Sequence, residues 1–278
     1  MVLRPVNDNA ASEEVVAIFS DARSLLGMSA VPVVLRFLAN APEYLQYLWE
    51  RMGDDLQSDA FLKLSEKLSS FSLSSVAIIH KPSSIASGFV STLNPVQKKE
   101  LEVLMRNLLR LNSMFFLFSL DLREDLKSAF TQTEEARKLH GGSEAFSQLQ
   151  KETGESASSE VTASRMLAPL FGSSLPALPK VETFFSVVES EMEKLGKTEA
   201  YLKTRVELER VGLMLIPSMP YRMNSNYKVF MKLTEDKYVA YDLLYLLTHV
   251  FPSEFPRLLL TSALMQKLLA GEKGVVTR

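Results

Sequence analysis

The sequence contains no cysteine, a single tryptophan and three histidines in 278 residues. Without cysteine there can be no disulfide framework, no thiolate metal site and no cysteine nucleophile, and the composition suits a reducing compartment such as the cytoplasm. The histidines His80, His140 and His249 are far apart, and no HExxH or ExxH pair is present, so a zinc or di-iron bundle site is not indicated. P-loop, GxGxxG and GxSxG motifs are also missing. Charge of one sign is not in excess: 31 basic and 33 acidic residues are mixed along the chain for a net charge of −2, which offers no electrostatic footprint for nucleic acid. The opening residues 1–11 have one arginine and no apolar core of the signal-peptide kind. Long hydrophobic runs are scarce too. The most apolar stretch, 101–120, carries Glu102, Arg106 and Arg110, and its charge-free part from Met114 to Leu120 is too short to span a bilayer, so no membrane partner is expected.

What the chain does have is apolar side chain at helical spacing. At 46% hydrophobic and 23% charged residues it can fill one large core or two moderate ones. Val15, Ile18, Phe19, Ala22, Leu25 and Leu26 keep a helical period after Ser12, and Gly27 is a natural stop. Pro32 and Pro42 each suit a first helical turn; Tyr44, Leu45, Leu48, Trp49 and Met52 then recur at spacings of three and four. Asp59 predicts a helix through Leu68, and the serine-rich residues 69–91 read as a loop with one short helix. Asn94-Pro95 is an N-cap followed by proline at the first helical position. The leucine-rich helix it starts is predicted to break at Asn112-Ser113 before a very apolar helix over 114–130. Residues 131–164, with Gly141-Gly142 and many serines and glutamates, read as a polar connector. Beyond them, helices are predicted over 181–195, 198–215, 236–249 and 256–270. The expected class is therefore all-α.

The second half echoes the first. Leu26-Gly27 with Arg36 corresponds to Leu195-Gly196 with Arg205, and Phe115 to Phe255. These echoes predict two fused, diverged helical repeats, residues 1–130 and 165–278, joined by 131–164 and packed as a pseudo-dimer with a cleft between them. Chance likeness between amphipathic helices is the competing explanation.

Carboxylate acid–base chemistry is the route this composition leaves best stocked. Glu199 and Glu254 fall in first helical turns, where an acidic residue commonly serves the helix dipole. Asn112 sits between two apolar runs, where it either caps a helix or presents its amide to the cleft. The stripe of Tyr44, Tyr47 and Trp49 reads as core before ligand box.

Residues 31–49, VPVVLRFLANAPEYLQYLW, meet a pattern of Arg36, Leu38, Ala39, Pro42, Tyr44, Leu45 and Trp49 that resembles the group I 2-haloacid dehalogenases. These are all-helical proteins of two fused repeats. The segment from Asn112 to Leu120 is similar to the family's Asn-Pro-Lys-Tyr followed by an apolar helix, here Asn-Ser-Met-Phe. The resemblance implies hydrolysis of a small 2-halocarboxylic acid without a covalent intermediate, by water that an aspartate activates, and it implies no cofactor. On that reading Asn112 positions the water, while Phe115 and its repeat counterpart Phe255 line the pocket. Two aromatic pocket positions fall on Ala30 and Val33. The family's Ser-Asp pair is matched by Thr198-Glu199, which makes Glu199 the catalytic carboxylate; keeping Arg36 in register with Arg205 instead puts Lys203 there, a residue that is no base at neutral pH unless strongly desolvated. The expected ligand is thus a small carboxylic acid, and a homo-oligomer is compatible with the sequence. The alternative from another class is a non-catalytic relative whose cleft binds an apolar ligand or a partner helix.

Overall fold

The computed structural model describes residues 3–28, 30–127 and 181–270. Among them the regular structure is helical and no strand occurs. The helices are α1 (Glu13–Leu26), α2 (Val33–Leu38), α3 (Pro42–Leu56), α4 (Asp59–Ile79), α5 (Ser84–Ser91) and α6 (Pro95–Leu126), then α7 (Val181–Gly196), α8 (Glu199–Leu215), α9 (Tyr227–Leu233), α10 (Lys237–Tyr245) and α11 (Phe251–Ala270). Short 3₁₀ turns lie at Asp8–Ala10 and Ile216–Ser218. The predicted connector 131–164 lies outside the described residues.

Local chemistry sets most helix ends. Ser12 Oγ accepts from the Val15 amide at 3.4 Å, and Gly27 closes α1 in the left-handed region at φ 63°, where a Cβ would be strained. Asn94 forms a full capping box: its Oδ1 accepts from the Gln97 amide at 2.9 Å while Gln97 Oε1 accepts from the Asn94 amide at 3.2 Å. Thr198 caps α8 by its hydroxyl alone, which accepts from the Tyr201 amide at 3.2 Å.

Three predicted boundaries are corrected. α4 does not stop at Leu68 but runs to Ile79, because Ser65 and Ser72 turn their hydroxyls back onto the carbonyls of Leu62 and Leu68 instead of competing for amides. α6 is not broken at Asn112-Ser113. Ser113 donates to the Leu109 carbonyl one turn back, and the Asn112 amide finds its partner sideways on another helix, so neither residue diverts the backbone. The third concerns residues 236–270, where α10 and α11 are joined by a π-helical stretch, Leu246–Val250, and Pro256 lies inside α11, not at its start.

The core is built around α6 against α11, with α4 packed on both. Phe115, Phe116, Leu117, Phe118 and Leu120 are buried all round α6, and Leu259, Leu260, Ala263 and Leu264 answer from α11. α6 is long and apolar enough to cross a membrane by length and composition, but 72% of its most apolar window is buried inside the protein. Gly212 on α8 lets that helix approach α6 closely: a Cβ there would overlap Leu120 Cδ1 and come within 3.3 Å of Phe116 Cε1.

Candidate functional site

A buried polar pair joins α6 to α11 within their seam. There Asn112, only 1% exposed, donates through Nδ2 to Ser262 Oγ at 2.9 Å. Ser262 in turn donates its own hydrogen to the Leu258 carbonyl at 2.8 Å, so its oxygen is the acceptor toward Asn112. That fixes the amide orientation and leaves Asn112 Oδ1 facing the interior with no hydrogen-bond partner among the described residues. On the next residue, Ser113 Oγ meets Ser69 Oγ of α4 at 2.8 Å. A buried amide oxygen without a donor is costly, on the order of 1–3 kcal/mol, and it is complementary to a water or to a hydroxyl group.

Aromatic rings pack along the same two helices. Phe115 meets Phe118 edge-on at 6.1 Å, and Phe118 stacks on Phe61 at 4.7 Å. Phe255 packs on Phe116 at 6.3 Å and on Phe251 at 6.4 Å. Phe115 and Phe255 are therefore both buried, and the ring of α6 that meets Phe255 is Phe116. Val33 is half-buried at the start of α2, packed against the core, and Ala30 is half-buried just before it.

Glu199 is elsewhere. Its carboxylate is 80% exposed at the first turn of α8 and pairs with Lys203 at 2.7 Å, one turn on. The structure gives Glu199 and Asn112 no common partner. The reason is local: Thr198 caps α8, which sets Glu199 on the solvent side of the first turn, where it complements the helix dipole. Glu254 is engaged with Arg257 at 2.8 Å, and Arg205 donates to the Ser253 carbonyl at 2.7 Å. Arg36 has an equally structural place, donating to the Val6 carbonyl at 3.0 Å and to Asn7.

Sequence reasoning missed Ser262, although a Thr-Ser pair inside the apolar run of α11 was the available signal. It also missed three buried or half-buried carboxylates, Asp55, Asp121 and Asp125, which grip the segment after α8. Tyr44 and Tyr47 belong to the same grip: Tyr44 Oη lies 2.6 Å from Ser225 Oγ, and Tyr47 Oη donates to the Asn224 carbonyl at 2.9 Å. Trp49 Nε1 donates to Asp21 at 2.8 Å, tying α3 to α1. The aromatic stripe of α3 is thus a structural one.

No family model matches the sequence, and no curated protein does. Solved structures do match by fold. A D-2-haloacid dehalogenase mutant superposes with a TM-score of 0.71 at 12% identity over 96% of each chain. A complex of a D-2-haloacid dehalogenase mutant with D-2-CPA gives 0.69 at 12% identity over 95% of each chain, and a D-2-haloacid dehalogenase complex with L-LA gives 0.69 at 13% over 96% of each. At such identities it is the fold alone that is shared: this chain has the helical fold of the D-2-haloacid dehalogenases.

Proposed function

We propose that this protein is a dehalogenase-like relative that holds a small carboxylic acid of the hydroxy-acid kind in the α6–α11 seam, without activating water through Glu199. On this reading that seam is the meeting line of two diverged repeats. The observation that carries it is the contrast between two side chains: Asn112 Oδ1 is a buried acceptor lacking a donor, whereas Glu199 stands in solvent beside Lys203. An amide oxygen orients a water or a hydroxyl, but it cannot remove a proton; hydrolysis needs a base within about 3 Å of that water. The fold neighbours support the ligand class, since they were solved with D-2-CPA and with L-LA.

A second reading, hydrolysis of a 2-haloacid, is favoured by the fold likeness together with the same free acceptor. In it a water held by Asn112 attacks the halogen-bearing carbon, a carboxylate takes the water's proton and halide leaves. Glu199 would have to swing inward and give up its pair with Lys203, an exposed pair worth at most about 1 kcal/mol.

Calorimetric titration with lactate, 2-chloropropionate and octanoate, beside a halide-release assay, separates the two. The expected result is binding of the two small acids, no halide release, and an affinity for lactate lowered about tenfold in Asn112→Leu. Halide release that disappears in Glu199→Gln establishes the hydrolase, and failure of all small acids to bind removes the leading reading.

A further inference from the structure

The segment 219–226, which leads from the 3₁₀ turn after α8 into α9, lies extended across α3 and α6 like a strap. Every second amide of it is held by a carboxylate of the first half. Tyr221 N donates to Asp55 Oδ1 at 3.1 Å, Met223 N to Asp121 Oδ2 at 2.8 Å and Ser225 N to Asp125 Oδ2 at 2.8 Å. Met219, Met223 and Ser225 are buried under this grip, and Tyr44 and Tyr47 hold its far end. Asn224 adopts a φ of 49°, the turn that lets the strap pass from one aspartate to the next.

The charges do not balance. Arg222, the strap's cation, pairs with Asp121 and reaches Asp125 at 3.7 Å. Asp55 is fully buried, and among the described residues it pairs with no cation and its Oδ2 has no hydrogen-bond partner. The groups that face it are Asp54 on its own helix, Asp121 on α6 and the strap's Tyr221 amide. Among the described residues no three His, Asp or Glu side chains are placed to hold a metal ion. A proton is then the occupant that relieves the excess charge.

We propose that Asp55 is a proton-operated clasp: with a proton on Asp55 the strap is seated on α3 and α6, and loss of that proton sets a second buried negative charge beside Asp121 and loosens it. Burial raises the Asp55 carboxyl to about 7; Asp121 and Asp54 push the same way, against the Tyr221 amide. Burial raises Asp121 as well, opposed by the Met223 amide and by Arg222. A carboxyl whose folded value lies above its unfolded one stabilises the seated form below the unfolded value, and that contribution is lost as pH rises through about 7.

The test is amide exchange on the full chain at Tyr221, Met223 and Ser225, with a carbon-detected titration of the Asp55 carboxyl. The carboxyl is expected to titrate near 7. Protection of the three amides, corrected for intrinsic rates, should fall about tenfold between about pH 6 and about pH 8. Amides within α1 should not follow, and in Asp55→Asn the fall should vanish. Titration in the ordinary aspartate range, wild-type protection that does not change with pH, or a fall that persists in Asp55→Asn each overturns the clasp. Should Asp55→Asn not fold, the wild-type titration and protection decide alone.

Discussion

Gly212 shows how one missing Cβ sets the spacing of two helices. Alanine in its place gains about 1 kcal/mol of helix propensity, yet its methyl group would collide with Leu120, which is fully buried, and press on Phe116. Overpacking of that kind costs about 1–3 kcal/mol, so Gly212→Ala is expected to be destabilised by about 1 kcal/mol in urea unfolding. An unchanged midpoint would mean that α8 can back away from α6. Asn112 shows the opposite relation between sequence and structure. Its unusual position in an apolar run was legible, and so were its two options, but the partner that decided between them, Ser262, lies 150 residues away. Capping lost because α6 runs through.

Among the elements, α6 carries the clearest local signal and also the clearest misreading. Its start was evident from Asn94-Pro95, and the capping box realises it. The first turn is solvent-exposed, so little packing compensates for a lost cap. Asn94→Ala should cost about 1 kcal/mol of stability and speed amide exchange at Gln97 selectively, measured by thermal unfolding and by exchange. The false break at Asn112-Ser113, like the false end of α4 at Leu68, came from counting polar residues as helix breakers. Serine is tolerated inside a helix, at a slight cost, when its hydroxyl bonds the carbonyl a turn back, as Ser65, Ser72 and Ser113 do. Whether it will do so depends on what packs over it, which local sequence does not report. The π-helical stretch at Leu246–Val250 was likewise invisible, since a register change of one residue leaves the apolar period nearly intact.

At the scale of the whole molecule, the first and second halves are joined by buried polar latches as well as by the apolar seam. Near the elbow between α4 and α5, His80 Nε2 donates to Glu191 of α7 at 2.8 Å, and the Ser83 amide donates to the same oxygen at 3.1 Å. Lys267 of α11 donates to the carbonyls of Val76, Ala77 and His80, closing the end of α4. Burial holds His80 below its usual value against the pull of Glu191. Burial would raise Glu191, but its bonds from Ser83 and His80 outweigh that and hold it low. Both shifts have one sign for stability: the contribution is full above the unfolded values of 6.5 for His80 and 4.5 for Glu191, and is lost as pH falls through the folded ones. Glu191→Ala, which strands a buried imidazole and an amide, should cost about 1–3 kcal/mol near neutral pH, and its gap to the parent should narrow once pH falls below 4.5 and Glu191 itself takes up a proton. A gap independent of pH in urea titrations would show that the latch works by packing alone. This dependence runs opposite to that of Asp55, whose raised carboxyl lowers stability as pH rises and enters global unfolding as well, so it is the difference between Glu191→Ala and the parent that isolates the latch.

The sequence by itself determined that the chain is all-helical, where most helices begin, and which side chains form the core, because apolar period and capping chemistry act within a few residues. It also contained enough of a pattern in residues 31–49 to point to the fold that the solved dehalogenase structures share. Only the tertiary structure decided which polar groups meet: Asn112 with Ser262, the three aspartates with the strap, His80 with Glu191, and Glu199 with solvent instead of the seam. Such pairings depend on the relative placement of helices distant in sequence, and a side chain's burial follows from what packs over it, not from the residues on either side of it.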